Sequence, residues 1–270
     1  MGNCIVCGST SWNRRSVIKK DGVHVMVCVC GLGVVEPFPS LEEVKKNYED
    51  DVFDYVPYYK ETFDLNVRTL NQLTSYVSVD GSVLDVGCGL APLWRALPFK
   101  CDYLGIDINQ KELDQIDKKV NVRLTTIDEV DDKFDFVFAC EVLEHIVDPL
   151  GFLNSCKKNL KDDGKLVLTV PNFDSPIKKL MGRFWYGYIV KEHLWYFGRL
   201  PIVALLEKNG YEVSNVKSFG VYTNLGVVLD RLNMGVVLAK YLLRITPSFI
   251  RNLVIKVPWE SLVVEARLCD

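Results

Sequence analysis

The sequence predicts an α/β fold, a doubly wound and mostly parallel seven-stranded sheet with a small cysteine-bearing segment in front of it. Three observations carry this. Short apolar runs near 82–86, 103–107, 122–126, 134–140 and 165–170 alternate with helical stretches, and helical crossovers between short buried strands imply parallel pairing. Two further runs, 211–221 and 261–268, extend the sheet at its edge. A glycine turn directly follows the first strand, where doubly wound sheets hold their ligands.

The 270 residues suffice for one full α/β domain and a small appendage. A hydrophobic content of 49% with 25% charged residues is ordinary for a globular chain, and a net charge of −3 gives no basic footprint for nucleic acid. The opening MGNCIVCGST lacks a charged region followed by an apolar run. Nine cysteines, an odd number scattered along the chain, point to reduced thiols and a cytoplasmic setting.

Residues 1–39 form the cysteine-marked leader. Cys4 and Cys7 make one pair, and Cys28 and Cys30 a second after a gap that fits a hairpin. Four thiolates so spaced can close a tetrahedral zinc site, which folds a segment too short to own a core; the alternative is a hairpin with buried free thiols. Ser40 and Glu43 form a capping box that starts a helix through about Tyr48. In the aromatic, acidic stretch that follows, Tyr55, Tyr58 and Tyr59 either line an entrance or pack the leader onto the main body. The apolar positions of 62–77 then trace a helical stripe. Residues 40–78 thus read as a helical linker or lid, and 79–270 as the main domain. Within it, 225–257 is apolar but broken by Asp230, Arg231, Lys240, Arg244 and Arg251, which predicts amphipathic helices and no spanning one. Such helices cap a pocket, pair two subunits or lie on a membrane surface.

The segment 82–107 carries the chemistry. A buried strand ends at Asp85, Gly87 and Gly89 form the turn, and the second strand ends on Asp107, 20 positions after Gly87. That spacing brings a carboxylate to a ribose held over the first turn. A dinucleotide site needs a third glycine, but Pro92 stands there, and Asp85 would repel a pyrophosphate while suiting an ammonium group.

On these residues the chain resembles the class I S-adenosylmethionine-dependent methyltransferases, whose fold is Rossmann-like. VLDVGCG matches the family's glycine motif, YLGIDI its ribose-binding strand, FDFVFACEVLEHIVDP its fourth-strand motif and LKDDGKLVLTVPN its fifth strand. The resemblance implies that the last strand inserts antiparallel beside the fifth. It also implies a donor site of Asp85, Gly87, Cys88 and Gly89, with Asp107 on the ribose hydroxyls, Ile108 beside the adenine, Ile127 and Asp128 at its amino group, and Cys140 along the methionine part. The leader resembles the zinc ribbons ahead of some bacterial sugar-modifying methyltransferases, with Val27 where that pattern expects a cysteine; Cys4, Cys7, Cys28 and Cys30 are the expected ligands.

Of three histidines, His24 lies in the leader. His145 sits in EVLEH, a position that many family members fill with histidine, as packing, cofactor-site support or base. His193 in KEHLWYFG resembles the acceptor-facing segment of sugar C-methyltransferases, with Glu192 orienting it or binding substrate; alternatively it caps the following helix. The implied activity is methyl transfer to a small or carrier-linked acceptor, with a sugar or polysaccharide precursor favoured. RNA methylation and a noncatalytic donor-binding or partner-binding module are the competing readings, and the balanced charge speaks against the first.

Overall fold

The computed structural model describes residues 2–15, 23–49, 56–98, 100–233 and 246–269. Two sheets organise it. The larger has seven strands: β4 (Ser82–Val86), β5 (Asp102–Asp107), β6 (Val122–Leu124), β7 (Phe134–Cys140), β8 (Leu160–Pro171), β10 (Tyr211–Asn224) and β11 (Val254–Leu268). Their order is β10-β11-β8-β7-β4-β5-β6, parallel from β8 to β6, with β11 antiparallel to both β8 and β10. The doubly wound sheet and its antiparallel insertion are as expected.

Alternating side chains split the core between the two faces of this sheet. Val83, Phe136, Phe138 and Val167 face α2 (Val56–Val77) and α3 (Pro92–Ala96). Leu84, Val86, Val137, Ala139, Leu166 and Leu168 belong to the opposite core, with α5 (Pro149–Lys158) and α7 (Arg199–Lys208). Burial on both sides explains why these strands read as continuous apolar runs. The switch of strand order falls between β4 and β7, so their carboxyl ends open onto one crevice.

The second sheet joins the leader to the main body. β1 (Trp12–Arg15), β2 (His24–Cys28) and β3 (Gly33–Glu36) form an antiparallel ribbon, and its fourth strand is β9 (Trp195–Tyr196), paired with β3 as Gly33↔Tyr196 and Val34↔Trp195. The leader therefore does not close its own sheet.

The capping box is present, with Ser40 N–H donating to Glu43 Oε2 at 2.7 Å and Glu43 N–H to Ser40 Oγ at 3.1 Å, at the start of α1 (Leu41–Glu49). Helix α2 begins at Val56, six residues before the predicted start, and so carries Tyr58 and Tyr59; Tyr55 lies outside the described residues. The insertion 225–257 needs correction at its end. It holds α8 (Leu225–Asn233) and a short helix, α9 (Ser248–Arg251), but 254–257 already belong to β11, paired with 221–224 of β10 beyond a bulge. Val254, Ile255 and Val257 extend a ladder more readily than a helix because β-branched residues favour strands. Its middle, 234–245, lies outside the described residues. Among the described residues no helix is long and apolar enough to cross a membrane.

Candidate active site

Strand β4 delivers Asp85 to the crevice with only 3% of its surface exposed. Tyr103 Oη donates a 2.8 Å hydrogen bond to Asp85 Oδ2. Burial pushes the Asp85 carboxyl up to about 7, nearby Asp107 adds to the rise, and the tyrosine opposes it. An ammonium placed beside Asp85 would relieve that burial cost.

The glycine turn is backbone-determined. Gly87 and Gly89 have φ of 68° and 52°, and a Cβ on Gly87 would stand 2.7 Å from Val142 Cγ2. The N–H groups of Gly87 and Cys88 both donate to Ile106 O, at 2.8 and 3.0 Å, so the turn is tied to β5 and does not aim them at a phosphate. Gly89 N–H donates to Asp107 Oδ2 and Asn109 N–H to Asp107 Oδ1, each at 2.9 Å. Asp107 is thereby fixed with its remaining lone pairs toward the crevice, and burial raises its pKa. The start of α4 (Gln110–Leu113) is capped by Asn109, whose side chain accepts from Lys111 N–H, so Asp107 is spared that role.

The remaining expected donor residues all line the same crevice. Ile108 is 56% exposed, which leaves its side chain available as an adenine wall. Ile127 is buried and Asp128 exposed in a short 3-10 turn, with Asp128 Oδ1 accepting from Ser155 Oγ. Cys140 ends β7, and burial drives its thiol pKa well up, followed by the charges of Asp85 and Glu141, so it stays neutral.

Beyond β7 the chain turns sharply at Glu141, φ 56°, into a 3-10 turn at Leu143–His145. Glu144 is fully buried, and burial, with Glu141 nearby, drives its pKa well up. His145 Nδ1 lies 3.1 Å from the carbonyl oxygen of Glu192, an arrangement satisfied by the Nδ1–H tautomer. Burial lowers its pKa to about 4, which keeps the ring neutral near pH 7. His193 is 7% exposed and meets His145 edge-on, with ring centroids 4.8 Å apart. It does not cap the following helix: α7 starts at Arg199 behind the N-cap Gly198, and Arg199 N–H donates to Asp174 Oδ2.

His193, Glu192 and His145 share one cleft of about 1520 Å³ with Asp85 and Asp107. Its outer walls come from α2 (Tyr58, Tyr59, Phe63), the aromatic run Phe184–Tyr188, and Val227 and Val228 of α8. Sequence reasoning missed several residues here. Tyr103 is one, although an aromatic facing a strand-end carboxylate across a parallel pair is readable once Asp85↔Gly105 is the register. Glu112, 6% exposed, also lines the cleft and accepts from Asn109 Nδ2 at 3.0 Å. Thr169, within the fifth-strand motif, was not singled out, and Arg183 carried no motif signal.

The four leader cysteines come together, their sulfurs all within 4.8 Å of one another. Cys4 and Cys30 sulfurs are 3.7 Å apart and those of Cys7 and Cys28 3.4 Å. A tetrahedral zinc with thiolate bonds of about 2.3 Å needs sulfur separations of about 3.8 Å, so the set fits. Cys28 reaches it although Val27 holds the expected register: Gly31, φ 94°, closes a tight turn in which Gly31 N–H donates to Cys28 O and Cys28 N–H to Leu32 O. A hydrogen bond from the Ser9 backbone lowers the Cys7 thiol to about 7, whereas burial raises Cys28 and Cys30. His24 is not among the clustered ligands.

Comparison with known proteins agrees with this geometry. Residues 58–216 match the family model described as a methyltransferase domain. Among curated relatives, a ubiquinone biosynthesis O-methyltransferase of Bradyrhizobium diazoefficiens is 35% identical over 120 residues, covering 41% of this chain and 46% of that protein. An uncharacterized protein of Methanocaldococcus jannaschii is 31% identical over 147 residues, covering 53% and 60%. The chain spans about half the length of the curated relatives it matches. Among solved structures, the 1,6-didemethyltoxoflavin-N1-methyltransferase of Burkholderia thailandensis, with bound 1,6-didemethyltoxoflavin and S-adenosylhomocysteine, superposes with a TM-score of 0.57 at 15% identity, covering 96% of this chain and all of that one. An S-adenosylmethionine-dependent methyltransferase of Archaeoglobus fulgidus gives 0.54 at 19%, covering 79% and 99%. With the family match spanning more than half its length and a carboxylate-flanked glycine turn at the switch point of its sheet, the chain belongs to the methyltransferase domain family.

Proposed function

We propose that the protein is a class I S-adenosylmethionine-dependent methyltransferase acting on a small or carrier-linked acceptor, a sugar or polysaccharide precursor by preference, with His193 as general base. The observation that carries this is the single cleft joining the Asp85–Asp107 floor to the His193–Glu192 wall. Ligand sites of about 300–1,000 Å³ suffice for one drug-sized molecule, so about 1520 Å³ leaves room for an acceptor beside the donor.

When bound, the donor supplies an electrophilic methyl group on a sulfonium. Asp85 holds its ammonium, Asp107 orients the ribose, and Ile108, Ile127 and Asp128 frame the adenine, while Gly87, Cys88, Gly89 and Cys140 leave space along its length. His193 takes the acceptor proton on a ring nitrogen, and Glu192 binds the acceptor. His145, neutral and bonded to the Glu192 carbonyl, is a positioning residue. The aromatic wall excludes water, and positioning of the two reactants supplies much of the acceleration. The names of the curated relatives speak for an oxygen acceptor. Val227 and Val228 in the cleft wall favour α8 as a pocket cap over a subunit or membrane contact. Zinc on Cys4, Cys7, Cys28 and Cys30 would supply folding energy to the leader and take no part in the transfer.

The test is production of S-adenosylhomocysteine by the purified protein from S-adenosylmethionine over a panel of nucleotide-linked sugars and hydroxylated small molecules. His193→Ala is expected to lower turnover by about 10²–10⁴-fold and leave donor affinity within about twofold by calorimetry. Equal loss of both would reassign His193 to a structural role.

A further inference from the structure

We infer that the cysteine ribbon positions the acceptor-side histidine, and that Gly33 is the residue through which it does so. The residue after His193 is bonded on both sides. Leu194 N–H donates to Glu144 O at 2.8 Å, toward the donor site, and Leu194 O accepts from Val35 N–H of β3 at 3.0 Å, toward the ribbon. On the donor side the loop is further held by His145 Nδ1 against Glu192 O and by Trp195 Nε1–H, which donates to Ile146 O at 2.8 Å. On the ribbon side it is held by the β3–β9 ladder. His193 is therefore the residue at which two bodies meet.

Gly33 sets how closely they meet. Its backbone angles are open to any residue, yet a Cβ there would stand 2.9 Å from Tyr196 Cβ and 3.2 Å from the Phe173 ring. Phe173 and Tyr196 in turn contact Trp185 and Tyr188, with ring centroids 5.2–6.5 Å apart across this group. A displacement of β3 thus passes into the aromatic wall as well as into the His193 backbone. The floor of the donor site, built on β4 and β5, shares no ladder with the ribbon sheet. Loss of ribbon order should therefore damage the acceptor half of the cleft and spare the donor half.

The inference stands on the β3–β9 ladder; only one arm of its test uses the zinc reading. Three histidines make the imidazole nitrogen NMR spectrum of the full chain assignable by single substitutions. In Gly33→Ala the His193 ring signals are expected to shift or broaden, the affinity for S-adenosylhomocysteine to stay within about twofold, and methyl-transfer kcat to fall at least tenfold at unchanged donor KM. Phe38→Ala, which removes a surface ring 5.1 Å from Trp195, gives the same pattern with smaller amplitude should Gly33→Ala fail to fold. Stripping zinc from the wild-type protein with a chelator is expected to move the His193 signals in the same direction. A protein that holds no zinc overturns the metal reading and leaves the two substitutions to decide. Unmoved His193 signals in a folded variant, or donor affinity lost in parallel with turnover, overturns the positioning role.

Discussion

The floor of the cleft and its acceptor wall solve the same problem, placing polar groups in an apolar crevice, by opposite means. The floor draws on residues close together in sequence: Asp85, the 87–89 turn and Asp107 sit on two adjacent parallel strands, and the backbone bonds of the turn end on β5. The wall is assembled from α2, the 182–197 loop, α8 and the turn after β7, with the ribbon behind it. On the proposed function, donor binding rests on local geometry, and acceptor binding on the docking of distant segments. Chemistry common to a whole family can rest on the first kind of construction, while substrate choice can vary by changing the second.

The sharpest way to break this contrast is at Gly87. A β-branched residue there meets the αL conformation, which costs about 1–2 kcal/mol, and a Cβ already too close to Val142. Gly87→Val should abolish measurable binding of S-adenosylhomocysteine by calorimetry, whereas substitutions in the aromatic wall, such as Phe184→Ala, should leave it within a few-fold. Next comes Asp107→Ala, expected to weaken donor affinity by about 10–100-fold, since hydrogen bonds to a charged group are worth about 1.5–3 kcal/mol. If either variant lowers acceptor affinity more than donor affinity, the two halves are not separable.

A pH titration sharpens the comparison further. Asp85 is raised from the ordinary value of 3.8 to about 7, so below that pH the folded protein prefers the protonated carboxyl. The sign follows: its contribution to stability is fully present below pH 4 and is lost as pH rises toward 7. The donor ammonium needs the ionised form, so donor affinity should climb with pH, by up to tenfold per unit, and level off above about 7. Tyr103→Phe removes the hydrogen bond that favours ionisation and should move that midpoint upward by about one unit, the equivalent of about 1.4 kcal/mol. A flat affinity profile between pH 5.5 and 8 would show that Asp85 does not meet the ammonium. The smallest expected effect lies farthest from the floor: Ser40→Ala removes the α1 cap and should cost about 1 kcal/mol of stability in denaturant melts, with donor affinity unchanged.

How much of this could be read beforehand divides along the same line. The parallel strands were legible because both faces are buried and each run is short and apolar, and the grouping of Asp85, Gly87, Gly89 and Asp107 at one crevice because their spacing is local. His193 could be singled out, but not the company it keeps: its contact with His145 and the tie to Glu192 O join residues 47 or 48 positions apart. The early start of α2 was hidden because Val56–Glu61 mixes aromatic and charged residues without a clear apolar stripe. Residues 254–257 were misread since a long, bulged ladder has no fixed alternation to betray it. The β3–β9 pairing was unreadable, because two residues are too few to carry a strand signal.

That two-residue strand also imposes an order of events during synthesis. Gly33 leaves the ribosome 163 residues ahead of its partner Tyr196, and at about 5–20 residues per second the hairpin waits roughly ten to thirty seconds for its last edge. All four cysteines emerge early, so a metal clip could hold the nascent hairpin intact through that interval, before the rest of the chain arrives to cover it.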